Sequence, residues 1–209
     1  MSMTLIHEDE ALLAIDKPAG LLAVPGRGAD KQDCLSLRVQ ARWPDALVVH
    51  RLDMATSGLM LFARGADMQR RLSRDFAARR IEKHYVALVD GRLPAPAGRI
   101  ELPLAADWPR RPLQKVDAAL GKAALTEWRV LAFDDLLQAT RLALQPHTGR
   151  THQLRVHLQS IGHAILGDAL YAPPAVLARA ERLLLHASEL RLAHPLGGEP
   201  LQLCSKAPF

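Results

Sequence analysis

The sequence predicts an α+β fold: a mixed, mostly antiparallel sheet flanked by helices. Three observations predict it. Apolar runs of strand length recur along the chain and are divided by turn signals. Helical periodicity is confined to a few segments that interrupt runs of strands rather than alternating with them. Of 209 residues, 49% are hydrophobic, enough to build a sizeable core. No internal repeat or long linker divides the chain, so residues 1–209 are expected to form one domain.

The elements follow in order. Residues 3–16 read as two strands around a turn at His7-Glu8-Asp9-Glu10, the second strand running from Ala11 to Ile15. Lys17-Pro18-Ala19-Gly20 and Pro25-Gly26-Arg27-Gly28 are breaker-rich loops. Residues 33–42 have helical character and stop at Trp43-Pro44. Val48-Val49 and Leu59 to Ala63 are apolar strand runs, and 66–80 is a charged helix with Met68, Leu72, Phe76 and Ala77 near helical spacing. Strands are expected at 84–90, 99–104, 112–117, 124–132 and 136–145, with turns at Asp90-Gly91 and Gly121-Lys122. A helix over 151–161 ends at Gly162, with Thr151 as its cap. A short helix over 174–182 and strands at 183–193 and 200–205 close the chain.

Composition narrows the function. The net charge is +5 and the pI about 9.6, which favours an anionic partner, nucleic acid first. The 21 arginines against 6 lysines offer planar forks for phosphate and faces for bases, though a GC-rich coding sequence produces the same bias. No stretch approaches the roughly 18 apolar residues of a membrane span. The start, MSMTLIHEDE, lacks the basic and apolar regions of a secretory signal. Cys34 and Cys204 fit no metal-ligand spacing and read as reduced thiols of a cytoplasmic protein.

The chemistry concentrates in VVHRLDMATSGLMLFAR, 48–64, where His50, Arg51, Asp53, Thr56, Ser57 and Gly58 stand between two strands. In an extended backbone Arg51 and Asp53 point to one side, His50 and Leu52 to the other. Ser57 lacks the first glycine of a nucleophile elbow, and the chain has neither a GxxxxGK[ST] nor a GxGxxG loop. His147, His152, His157 and His163 do not fall on one helical face, so core or RNA-facing histidines are expected in place of a metal site. A second polar segment, 144–171, carries Arg150 and Arg155 on different sides of its helix, so one is expected to meet phosphate and the other a carboxylate. On the charged helix, i,i+4 spacing pairs Arg71 with Asp67 and Asp75, leaving Arg70, Arg74, Arg79 and Arg80 for phosphate.

HRLDMATSGL, 50–59, resembles the signature of the RluA-type pseudouridine synthases. IDKPAGLL (15–22), KHYVALVDG (83–91), TGRTHQLRVHLQSIGHAILGD (148–168) and LLLHASELRLAHP (183–195) resemble that family's other motifs, in order and over almost the whole chain. The resemblance implies a pseudouridine synthase catalytic domain over 1–209, its first motif starting near residue 15 with no room before it for an S4 RNA-binding domain. It implies an isomerase that needs no cofactor and no metal. Asp53 matches the essential carboxylate, Tyr85 the active-site tyrosine and Arg155 the partner arginine, with Arg150 as the alternative partner for Asp53. Arg51 is the base-flipping wedge, and His50, Thr56, Arg150 and His152 complete the RNA-binding set. VPGR (24–27), DWPRRP (107–112) and QKV (114–116) resemble members that modify both a tRNA anticodon stem-loop and a 23S rRNA stem-loop. The implied partner is thus tRNA, 23S rRNA or both, met by a cytoplasmic monomer. Two other readings stay open: a basic RNA-binding module with an inactive pocket, and a metal-dependent nuclease, for which Asp53 has no nearby acidic partner in sequence.

Overall fold

A computed structural model describes residues 3–209. In chain order its elements are β1 (Thr4–Glu8), β2 (Leu12–Lys17), α1 (Leu35–Arg42), β3 (Ala46–Val48), β4 (Ser57–Arg64), α2 (Gly65–Ala77), β5 (Glu82–Asp90), β6 (Ala97–Glu101), β7 (Leu104–Ala106), β8 (Gln114–Val116), β9 (Leu125–Asp134), β10 (Ala139–Pro146), α3 (Gln153–Ser160), α4 (Pro174–Leu177), β11 (Leu185–Ala193) and β12 (Pro200–Cys204). Strands in runs with interspersed helices make the expected α+β class. Two compact units divide the chain: residues 1–83 with 186–208, and residues 84–185 with Phe209.

In the first unit β2 pairs antiparallel with β1 and β4, β3 pairs with β4, and β11 joins β4 in parallel and β12 in antiparallel register. β2 and β4 are buried at nearly every position, with apolar runs Leu12–Ile15 and Leu59–Ala63, because both faces of the sheet are covered. Strand alternation sends Leu12, Ala14, Leu59, Leu61 and Ala63 to one face, where Met68 and Leu72 of α2 cover them with Leu190, Leu192 and Leu203. It sends Leu13, Ile15, Met60 and Phe62 to the other, against Leu35 and Val39 of α1 and Trp43. Each fully buried aliphatic or aromatic side chain contributes roughly 1.5–3 kcal/mol, so this double-sided layer is the stable frame beneath residues 49–56. Cys34 is buried and Cys204 exposed, both as free thiols.

The second unit is built on an antiparallel sheet in which β10 lies between β5 and β9, with β6 on the far side of β9. β10 alternates buried and half-buried residues, and the first half of β9 buried and exposed ones, the pattern of a sheet with one more solvated face. Leu88, Ala139, Ala164, Leu166 and Val176 form a core there. β7 and β8 make a separate two-stranded ribbon instead of extending longer strands as expected at 99–104 and 112–117.

Several local expectations are corrected. The helix expected over 174–182 is only the four residues of α4. Thr151 does not cap α3: the N-cap is His152, in left-handed backbone at φ 53°, with no side-chain cap bond. The turn is instead held by Gln153, whose Oε1 accepts from Arg150 N at 3.0 Å and from the Thr148 hydroxyl at 2.7 Å. On α2, Asp67 pairs with Arg70 and Asp75 with Arg80, while Arg71 donates to the Pro195 carbonyl at 2.9 Å. Spacing alone missed this because an arginine reaches i+3 carboxylates and off-helix acceptors equally well. Arg70 and Arg80, expected to be left for phosphate, are thus paired with acids.

The parallel contact of β4 with β11 depends on Gly58, which has φ 113° and sits opposite Ala187. A Cβ there would lie 2.3 Å from the Ala187 carbonyl oxygen and 2.5 Å from its nitrogen. Gly58→Ala is therefore expected to destabilise the protein by on the order of 3 kcal/mol or more. A urea midpoint equal to that of the wild type would show that the strands can part without cost.

Candidate active site

Asp53 lies on the segment between β3 and β4, after the exposed Arg51 and the buried Leu52. Arg51 is exposed, Leu52 buried and Asp53 half-buried, an alternation of the kind extended backbone produces. The segment is not a plain turn. Thr56 N bonds Asp53 O at 3.1 Å, and Gly20 N bonds Met54 O at 2.8 Å, which ties it to the loop after β2. Lys17 makes the same connection more strongly. Its side chain is fully buried, and Nζ donates to Pro18 O at 2.9 Å, Leu21 O at 2.8 Å and Met54 O at 3.1 Å. Burial pushes its pKa down from 10.5 to about 8, while the charges of Asp53 and Asp16 act to hold the proton on.

His50 and Thr56 shape this segment. The His50 ring stacks on Phe76 with centroids 4.4 Å apart, and Nε2 accepts from Leu61 N at 2.8 Å. Burial, helped by Lys83, drives its pKa down to about 3. An acceptor nitrogen and a neutral ring agree, so His50 is a strut rather than a cation for phosphate. Thr56 and Ser57 are buried. Ser57 Oγ lies 2.9 Å from His186 Nδ1, and His186 Nε2 lies 3.1 Å from Ser205 Oγ. That relay ties the end of the segment to β11 and to the chain after β12.

The second unit holds Tyr85, Arg150, His152 and Arg155. Tyr85 is a partly buried residue of β5, in register with Leu144 of β10. Arg155 of α3 is 4% exposed and grips Asp168, itself 1% exposed, through Nε to Oδ2 at 2.8 Å and a terminal nitrogen to Oδ1 at 2.6 Å. Two parallel charge-assisted bonds fix the guanidinium plane. Oδ1 of Asp168 also accepts from Leu170 N and Tyr171 N, at 2.9 and 3.2 Å. Tyr171 stands with its ring 5.0 Å from the Arg155 guanidinium carbon. Its hydroxyl accepts from Gln114 N at 2.9 Å and meets His152 Nδ1 at 2.6 Å. Arg150 is tied differently, with Nε on the Ala123 carbonyl at 3.1 Å. Arg150 lies before α3 and not on it, so the expectation that both arginines ride one helix does not hold; Arg155 holds Asp168 and Arg150 a backbone carbonyl.

The other histidines of this segment are structural. His157 is buried, bridging the Thr126 hydroxyl and the Leu102 carbonyl at 3.0 Å each, and burial lowers its pKa. His163 donates from Nδ1 to the Asp90 carbonyl at 2.8 Å.

A fixed carboxylate on a braced segment beside an exposed arginine, on this α+β frame, defines a class. Residues 11–160 match the RNA pseudouridylate synthase family, and the chain belongs to it: it is an isomerase that makes pseudouridine in RNA. Its relatives place it with the RluA type. It is 46% identical over 207 residues to the dual-specificity RNA pseudouridine synthase RluA of Yersinia pestis, spanning 99% of this chain and 100% of that one. Its identity to the protein of the same name from Escherichia coli K12 is 45% over 208 residues, 99% of this chain and 94% of the other. Among solved structures, human RNA pseudouridylate synthase domain containing 1 superposes with a TM-score of 0.84 at 27% identity, covering all of this chain and 84% of that one.

Lys17, Asp168, Tyr171 and His186 received no role from the sequence. Lys17, Asp168 and His186 lay inside the quoted motifs, and Tyr171 three residues past one. A buried Lys, Asp or His in an apolar run was the available signal, since such a group must be partnered.

Two outcomes follow. Asp168→Asn removes the carboxylate charge from a buried pair and is expected to cost about 3 kcal/mol or more, read as a lower guanidinium chloride midpoint. For Lys17, the unfolded chain binds the proton more tightly than the native one between about pH 8 and 10.5. Unfolding free energy should then rise with pH across that window, by up to about 3 kcal/mol. Lys17→Met should lack this rise in urea titrations taken pH by pH.

Proposed function

We propose that Asp53 is the essential carboxylate of uridine isomerisation, with Tyr85 and Arg155 as its catalytic partners and Arg51 as the wedge that replaces the flipped base. The observation that carries this reading is the bracing of residues 50–57: Lys17 and Gly20 hold the Met54 carbonyl, and His50 and Ser57 are pinned on either side, so the backbone bearing Asp53 is fixed. A catalytic group gains most when its position needs no reorganisation during reaction.

In the reaction the C1′–N1 bond of uridine breaks and a C1′–C5 bond forms. The C5 proton leaves and N1 gains one, so no group or electron comes from outside. A carboxylate serves such a step by attack on an electrophilic carbon or by supporting proton removal, and both need it ionised. The Tyr85 ring stacks on uracil and its hydroxyl serves proton transfer at C5. Extrusion of the uridine costs a few kcal/mol. Arg51, exposed beside Asp53, fills the vacated stack, because guanidinium stacks as well as it binds phosphate. Arg150 and His152 bind the RNA backbone.

The substrates we propose are a tRNA anticodon stem-loop and a 23S rRNA stem-loop, bound by a monomer. The support is the dual-specificity name carried by relatives that match along nearly the whole chain.

Tritium release from RNA labelled at uridine C5 tests the assignment. Asp53→Ala should release none above background while binding RNA as the wild type does; full release would sink the proposal. Arg51→Ala should lose turnover by at least about a hundredfold, the cost of a few kcal/mol of unreplaced stacking, with a much smaller loss of RNA affinity. Equal losses would make Arg51 a plain phosphate contact.

A further inference from the structure

The ribbon of β7 and β8 carries the loop 107–113, and its tip presents Trp108 with 66% of its surface exposed. The other two tryptophans, Trp43 and Trp128, are 7% and 9% exposed. One indole is thus left in water where the fold buries the rest. Its setting is built. The Arg111 guanidinium carbon lies 3.5 Å from the Trp108 ring centroid, covering one face. Arg110 is turned away onto the buried Asp107, Nε to Oδ2 at 2.8 Å. Backbone bonds from Asp107 N to Leu113 O at 2.9 Å, and from Arg110 N to Asp107 O and Leu113 N to Arg110 O at 3.0 Å each, hold the loop closed. At its base, Gln114 N donates to the Tyr171 hydroxyl that also meets His152. The loop is therefore fastened to the residues that orient Arg155.

We infer that Trp108, backed by Arg111, is a stacking platform for an unpaired base of the RNA substrate. This rests on the reading of the chain as an enzyme acting on structured RNA. An aromatic plane with a cation on one face offers its remaining face to a base and its charge to the adjoining phosphate. A protein partner is the poorer fit: Trp108 is bordered by Pro109, Arg110 and Arg111, not by an apolar patch, and Lys115 follows. Unpaired nucleotides are the fitting ligand because a base within a duplex already has both faces covered. Stacking of this kind tolerates any base, so the platform selects loops over helices rather than one sequence.

Tryptophan emission tests this without turnover. A synthetic RNA stem-loop should quench the wild type, and a fully paired duplex of equal length should not. Trp108→Phe, which keeps only the two buried indoles, should show no quenching. In tritium release from the same stem-loop, Trp108→Ala should raise KM about tenfold with a smaller change in kcat, and Trp108→Phe should recover most of the loss. Equal quenching by duplex, no quenching by either RNA, an unchanged KM, or an altered oligomeric state in Trp108→Ala would each overturn the platform. Quenching by the stem-loop with no tritium release from the wild type would instead strike the catalytic reading and leave the platform standing.

Discussion

The Lys17 ammonium is the constraint on which the segment 50–57 depends. An ammonium with no exposed surface is expensive unless its protons are spent on acceptors. Here three carbonyls take them, and the third belongs to Met54, next to Asp53. The acceptors come from two loops far apart in sequence, so satisfying one charge fixes both loops together. Asp53 adds a second tie, since its negative charge favours the buried cation. The Asp53 carboxylate thus helps hold the group that positions its own backbone.

The second unit uses the same logic, with a carboxylate in place of backbone carbonyls. Arg155 would be untenable in its buried place without Asp168, and Asp168 would be untenable without the guanidinium and the amides of Leu170 and Tyr171. Tyr171 carries the order outward to His152 and to the start of β8. Such networks contribute little net stability compared with apolar packing, but removing one member leaves a buried charge exposed to its full desolvation cost. They specify geometry, which is what an active site has to supply.

The frame beneath these networks was legible from patterning. Continuous apolar runs in β2 and β4 and alternating ones in β9 and β10 follow directly from which sheet faces are covered. The ordered motifs located Arg51 and Asp53 on the segment before β4, and both lie there. Helix ends and ion pairs were less legible. Thr151 was a reasonable cap by residue type, yet Gln153 holds that turn from inside the helix, through contacts with Thr148 and Thr126. Arg71 had two carboxylates at ideal spacing and took a carbonyl of the β11–β12 connection instead.

By itself the sequence determined the α+β class and the family, because period, turn chemistry and motif order are local properties of the chain. Only the tertiary structure decided what holds the polar side chains in place. The partners of Lys17, Arg155, Ser57 and Tyr171 lie between 1 and 129 residues away. No spacing rule reaches most of them, since a buried polar group is satisfied by whatever acceptor folding brings within about 3 Å.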